Sequence, residues 1–333
     1  MRIESSAPTR IDLAGGTLDI WPLYLFHEGA QTLNAALSLR AHCSVRPRSD
    51  RRLVIVSDDT GQRTEAEHWS ELRQEQELRL LGRLLHHFQV EGLEMHTRSE
   101  SPVGAGIAGS SALNIAVCGA LAAWTGARLT DDELLQVAMN VEAQAINVPT
   151  GAQDFRPALY GGVSAVELGV AGVTRVKLPV AEEDLQRRIV VAHTGASRNS
   201  GINNWEVIKR HIDGDPTVHD SFDRIRDIAG AMRSGLERRD WTEVGRQVGY
   251  EWENRKRLAP GVTTPAIDAM LDAARQAGAM AGKVCGASGG GCLFCIADPA
   301  HVPAVRAALA DAGARVLDCA IERDGLRVAR HDG

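Results

Sequence analysis

Ser101-Pro102-Val103-Gly104-Ala105-Gly106-Ile107-Ala108-Gly109-Ser110-Ser111-Ala112 sets a glycine-rich turn at the head of a long apolar run. Backbone N–H groups left open at a helix start, with the positive end of the helix dipole behind them, favour an anion, and glycine lets the chain approach it closely. The stretch reads as a phosphate-binding loop. Gly104, Gly106 and Gly109 also spell G-x-G-x-x-G after a strand-like Leu93 to Thr97, but a dinucleotide fold needs a second parallel strand ending in an acidic residue about 20 positions on. After Gly126 the chain starts another helix instead, at Thr130-Asp131-Asp132-Glu133. The interval from Gly104 to Gly109 fits a Walker A loop too, yet Ser110 stands where that motif requires lysine. A glycine turn with a purely structural role is the remaining alternative; against it, Ser110 and Ser111 sit where hydroxyls reach a phosphate-bound metal.

Outside this loop, 333 residues suffice for two domains with cores of their own, and 44% hydrophobic with 24% charged residues is an ordinary globular balance. A net charge of −6 gives no basic footprint for nucleic acid, so an anionic substrate must be held by local cations and helix starts. No apolar run approaches the roughly 18 residues of a membrane span, and Met1-Arg2-Ile3-Glu4 leads directly into strand-like sequence without a signal peptide. The expected location is the cytoplasm, with no membrane partner. Six scattered cysteines form no disulfide framework, and Cys292-x-x-Cys295 falls in an apolar run that reads as a buried strand without a second ligand pair. The eleven histidines show no ligand spacing.

Strands are expected near 3–6, 10–14, 39–46, 53–57, 93–97, 163–168 and 189–193, with an amphipathic helix over 71–90 and a buried helix over 110–124. Thr130 and Glu133 form a capping box for the next helix. In that helix Glu142 falls beside the apolar stripe, where an unpaired carboxylate is costly. It either bridges locally or faces a cation. Charged residues from Glu182 to Arg188 mark a boundary, giving expected domains of 1–187 and 188–333. Helices to Gln276, a strand to Val284, a second glycine loop at Gly286–Gly291, a helix over 301–311 and strands near 315–320 and 326–329 complete an α+β layer.

Three segments now fit one pattern: Ala7-Pro8-Thr9-Arg10-Ile11-Asp12-Leu13-Ala14-Gly15-Gly16-Thr17-Leu18-Asp19, the Pro102 to Ser111 loop, and Lys283-Val284-Cys285-Gly286-Ala287-Ser288-Gly289-Gly290-Gly291. Their order and spacing resemble the GHMP kinases over almost the whole chain, and within that superfamily the bacterial D-glycero-D-manno-heptose 7-phosphate kinases. Leu33-Asn34-Ala35, Gly151-Ala152-Gln153-Asp154, Thr194-Gly195 with Arg198, and the Glu251-Trp252 segment carry the closer likeness. Thr17-Leu18-Asp19 stands where Gly-Thr-Asp is usual, Ala152 where lysine is common, and Gly109 where a hydroxyl residue is usual.

The resemblance implies a two-domain α+β fold, with an N-terminal ribosomal protein S5 domain 2-like half and a C-terminal ferredoxin-like half. It implies an ATP- and Mg2+-dependent kinase of a sugar or sugar phosphate, the anomeric hydroxyl of the heptose phosphate being the leading acceptor. A galactose- or fucose-type sugar, a mevalonate-type alcohol, and a nucleotide-binding sensor without transfer are the alternatives. Phosphoryl transfer asks mainly for positioning and charge neutralisation. On this reading Pro102, Gly104, Ala105, Gly106, Ile107, Ala108, Gly109, Ser110 and Ser111 cradle the ATP phosphates, and Ser110, Ser111 and Glu142 hold Mg2+. Asp154 is the catalytic base with Arg10 beside it. Gly16, Thr17, Asp19, Arg198, Gly289 and Gly290 face the acceptor, and a homodimer is possible on the same analogy.

Overall fold

The computed structural model describes residues 2–74, 77–196, 200–286 and 289–331. It is a mixed α/β architecture built on two sheets. The larger has eight strands: β1 (Arg2–Ala14), β2 (Gln31–Pro47), β3 (Leu53–Ser57), β4 (Gln62–Ala66), β5 (Leu93–Ser99), β6 (Val163–Gly169), β7 (Gly172–Lys177) and β12 (Arg327–His331). Its path is β12-β1-β2-β5-β3-β4, and β2 is long enough to carry β6 and β7 beyond the end of β5. All pairings are antiparallel except β3 with β5. The smaller sheet, β11-β8-β10-β9, is antiparallel throughout and comprises β8 (Ile189–His193), β9 (Ala279–Val284), β10 (Cys292–Ala297) and β11 (Arg315–Val316).

Helices cover both sheets. Against the large one lie α1 (Arg79–Phe88), α2 (Gly109–Thr125), α3 (Asp131–Ile146) and the short α4 (Phe155–Tyr160). Helix α2 is apolar nearly all round and most of its residues are buried, as expected of a core helix, and Gly126 ends it in the left-handed conformation. The capping box of α3 forms as read. After the short α5 (Glu182–Gln186), α6 (Ser200–Ile212), α7 (Pro216–Arg238), α8 (Trp241–Arg255), α9 (Pro265–Gln276) and α10 (Val302–Asp311) pack with the small sheet. A third apolar cluster joins the two halves: Ile11 and Leu33 of the large sheet meet Met232 and Val248 of the helices and Val191 and Phe294 of the small sheet.

Several elements differ from the sequence reading. The two expected strands at 3–6 and 10–14 are one strand, because β2 pairs along the whole length with a register shift at Pro8/Thr9. β2 begins at Gln31, not near residue 39; its first half is flanked by β1 and β6 and buried on both faces, so no alternation marks it. Within the expected helix over 71–90, a 3-10 turn covers Trp69–Gln74 and α1 begins at Arg79. The expected strand near 326–329 forms, but in the large sheet beside β1, because Leu326 and Val328 close over Gly119 on α2. Cys292 and Cys295 are buried in β10, as their apolar setting required. Among the described residues no helix is long and apolar enough to cross a membrane.

Candidate active site

Residues of β1 from Ala7 onward are buried, so every charge there needs a partner. Arg10 is 2% exposed and sends Nε and Nη2 to Asp154 Oδ1, at 3.0 and 2.5 Å, while Nη1 donates to the Gly106 carbonyl at 3.0 Å. Its backbone N–H donates to Ile107 O. One strand residue thereby fixes both the glycine loop and the aspartate that precedes α4. Burial works to lower the Arg10 pKa, but Asp154 and Asp12 outweigh it and hold the guanidinium charged.

The glycine loop turns through left-handed residues at Gly104, Gly106 and Ala108. Ala108 is the N-cap of α2 and supplies no side-chain acceptor, so the opening N–H groups of that helix stay available to an anion. The second glycine loop runs directly beneath: Cys292 N donates to Ala105 O at 2.6 Å, and a Cβ on Gly291 would lie 2.6 Å from that same carbonyl. A Cβ on Gly109 would fall 2.7 Å from Ser101 Oγ, so a side chain there would require the Ser101 hydroxyl to shift.

Glu142 meets the loop from α3. Its Oε1 accepts from Ser110 Oγ at 2.7 Å and its Oε2 from Ser111 Oγ at 3.1 Å. Burial, opposed by the Ser110 hydrogen bond and reinforced by the nearby Asp154, pushes its carboxyl up to about 7. On the other wall Asp19 accepts from Gln153 N at 2.9 Å, and its backbone carbonyl accepts from Ala152 N. Gly151 sits so close that a Cβ would fall 2.1 Å from Asp19 Oδ2. Burial, then Asp154, raises Asp19 to about 6.

A buried ion quartet underlies both walls and was not singled out from the sequence. Lys283 Nζ donates to Asp12 Oδ2 at 3.0 Å and to Glu251 Oε1 at 2.9 Å; Arg255 Nη2 reaches the same two oxygens at 3.3 and 3.0 Å. Asp12 Oδ1 also accepts from Gly286 N. Burial would raise Asp12, but Lys283, Arg255 and Arg10 pull it well below the usual carboxylate range. These residues come from β1, α8 and β9, so the quartet ties the glycine-rich segments into one frame. The only local signal was Asp12 and Lys283 placed within otherwise apolar strands.

A cleft of about 340 Å3 opens between these walls. It brings together Arg10, Thr17, Asp19, Pro102, Gly104, Ala105, Gly106, Ala108, Gly109, Ser110, Ser111, Glu142 and Asp154, with Arg255 and Gly286 at its floor. Ile107 is buried behind the loop, and Gly16 packs against Arg255, Asp12 and Gln153. Gly289 and Gly290 do not line the cleft, and Gly289 N donates instead to Val262 O. Arg198 lies outside the described residues. The arrangement offers an anion cradle, a carboxylate with two hydroxyls, and an aspartate held by arginine, the parts needed to place a phosphoryl group against a hydroxyl.

Residues 77–162 match the model of the GHMP kinases N terminal domain and residues 232–315 that of the GHMP kinases C terminal. The D-glycero-alpha-D-manno-heptose 7-phosphate kinase of Campylobacter jejuni subsp. jejuni serotype O:2 is 29% identical, the alignment covering 98% of each chain. The L-fucokinase/L-fucose-1-P guanylyltransferase of Bacteroides fragilis is 25% identical over 97% of this chain and 38% of its own. Among solved structures, a D-glycero-D-manno-heptose 1-phosphate kinase from Bacteroides thetaiotaomicron superposes with a TM-score of 0.82 at 24% identity, covering 99% of this chain and 100% of that one. Lactococcus lactis galactokinase complexed with galactose gives 0.79 at 18% identity, covering 98% and 95%.

Proposed function

Since the chain belongs to the GHMP kinases, we propose that it passes the γ-phosphate of ATP, with Mg2+, to a hydroxyl of a sugar phosphate, the anomeric hydroxyl of D-glycero-D-manno-heptose 7-phosphate first among candidates. The observation that carries this reading is the Arg10–Asp154 pair facing the Glu142–Ser110–Ser111 set across one cleft.

Asp154 takes the proton of the acceptor hydroxyl as that oxygen attacks the γ-phosphorus, and ADP leaves. Arg10 holds the carboxylate in place for that role through its Nε and Nη2 hydrogen bonds. The left-handed loop and the uncapped start of α2 direct N–H groups at the phosphates, where they offset the negative charge of the transferring group. Asp19 orients the acceptor through hydrogen bonds to its hydroxyls.

The Glu142 donor set fits a hard divalent cation: the donors are all oxygen, and the buried carboxylate lacks any cationic partner among the described residues. Ser110, Ser111 and Glu142 would hold Mg2+, which when bound supplies charge neutralisation for the nucleotide phosphates.

The test is ADP release across heptose 7-phosphate, galactose, fucose, mannose and mevalonate, with the product identified by mass. A phosphorylated heptose at the anomeric position is the expected product. ATP hydrolysis without a phosphorylated acceptor would refute a kinase, and a different product would reassign the acceptor.

A further inference from the structure

Three histidines distant in the sequence meet outside the cleft. His27 follows the 3-10 turn Leu23–Phe26, His211 lies in the last turn of α6, and His219 in the first turn of α7. One ring nitrogen of each lies within 4.8 Å of those of the other two. His27 and His211 are 2% and 4% exposed, whereas His219 is half-buried.

The second nitrogens of two rings are already engaged. His27 Nδ1 is 2.9 Å from Asp223 Oδ1, and His219 Nε2 is 3.0 Å from the His211 carbonyl. A carboxylate and a carbonyl only accept, so in the neutral rings these nitrogens carry the hydrogens and the lone pairs fall on His27 Nε2 and His219 Nδ1. His27 Nε2 faces His211 Nε2 at 2.9 Å, an approach that one shared proton satisfies. A ligand imidazole oriented through its other nitrogen by a carboxylate or carbonyl is the usual surround of a protein-bound transition metal.

We propose that His27, His211 and His219 bind a divalent transition-metal ion of the zinc class, with Asp223 orienting His27. The ion takes the place of the proton between the facing Nε2 atoms, and His211 carries its hydrogen on Nδ1. Zinc–nitrogen bonds of about 2.0–2.1 Å put tetrahedral ligand atoms roughly 3.3–3.4 Å apart. The 2.9 Å pair opens slightly, and His219, stacked on His211 at 4.0 Å, turns from its partly exposed position to close the third side. Water fills the fourth place. Three imidazoles favour zinc or cobalt over magnesium, so the site is chemically distinct from the oxygen set around Glu142. The ion would pin the segment that follows Asp19 to the α6–α7 hairpin.

Cobalt(II) titration of the full-length, metal-stripped protein in excess Mg2+ tests this. The expected result is one equivalent of intense visible absorption typical of low-coordinate nitrogen ligation, displaced by zinc, with a rise in Tm. His219→Ala should weaken cobalt binding by more than 10-fold, and Asp223→Asn by about 10- to 100-fold, the usual cost of removing an orienting partner. His42→Ala, elsewhere on the surface, should change nothing. If His219→Ala does not give the wild-type circular dichroism spectrum, His219→Gln is read instead. Absence of the band in the wild type, or a band that the His219 and Asp223 substitutions leave intact, would make the cluster a hydrogen-bonded packing unit and overturn the proposal.

Discussion

Asp154→Asn preserves the shape of the side chain that Arg10 grips but removes its charge. Turnover should fall by about 10²-fold or more, the scale of a positioned general base, with ATP affinity little changed. Arg10→Met should impair turnover as well, and the double variant should lose far less than the product of the two because they act as a unit. Single-turnover rates of the four proteins check this, and strictly multiplicative losses would break the pairing. Thr17 carries a second residue-scale consequence, since it lines the cleft at φ 80°, where a side chain costs about 1–2 kcal/mol. Thr17→Gly should therefore raise stability in urea by about 0.5–1 kcal/mol while raising KM for the acceptor; a neutral KM would show that the strained threonine serves no contact. Glu142 was legible from its own surroundings, a carboxylate beside an apolar stripe, whereas Arg10 and Asp154 stood out only through the likeness of the segments that hold them to the GHMP kinases. Asp12, Lys283, Glu251 and Arg255 were not, because their meaning lies in one another and they meet only in the folded chain.

Between elements, the same quartet sets the energetics. Two carboxylates share two cations across β1, α8 and β9, and removal of one partner leaves an uncompensated buried charge. Lys283→Met should cost about 3–5 kcal/mol in chemical denaturation; a loss under 1 kcal/mol would mean that water reaches the group. Helix α3 presses Glu142 against α2 at a different cost. Its carboxyl is held at about 7 against 4.5 for an unperturbed glutamate, so between those values the folded chain keeps a proton that the unfolded chain has lost. Stability from this group is thus present below about pH 4.5 and declines as pH rises toward 7. In metal-free protein Glu142→Gln should match the wild-type Tm at pH 4.5 and exceed it at pH 8, while binding MgATP more weakly. Parallel Tm curves would return Glu142 to an ordinary packing role. Helices α2, α3 and α10 were readable from period and caps. β4, β7 and α4 were not: β4 and β7 are short strands of mostly polar or exposed residues without the apolar run that marked 53–57 and 189–193, and α4 is a six-residue helix with a proline inside it.

The whole molecule is closed by the strap from β11 to β12. Leu317 N donates to Val191 O in the small sheet, Glu322 N to Ala36 O in the large one, and β12 then pairs with Arg2–Ser6. Arg40 clamps the crossing, donating to Glu322, to the Asp324 and Gly325 carbonyls and to Ser6. A chain shortened to residue 316 should keep both helical layers but lose several degrees of Tm and a cooperative single transition; an unchanged melting curve would make the strap ornamental. This closure was invisible in the sequence, where residues 326–329 read as one more strand of the adjacent layer, since nothing local tells a strand which sheet it will join. A ribosome releases β1 early and β12 after every other described element, so the newly made chain carries a bare, hydrogen-bond-ready edge on its large sheet until residues 327–331 emerge. Premature stop codons or proteolytic nicks near that end would then yield self-associating chains that call on chaperones, a hazard set by the order of synthesis and not by the chemistry of the cleft.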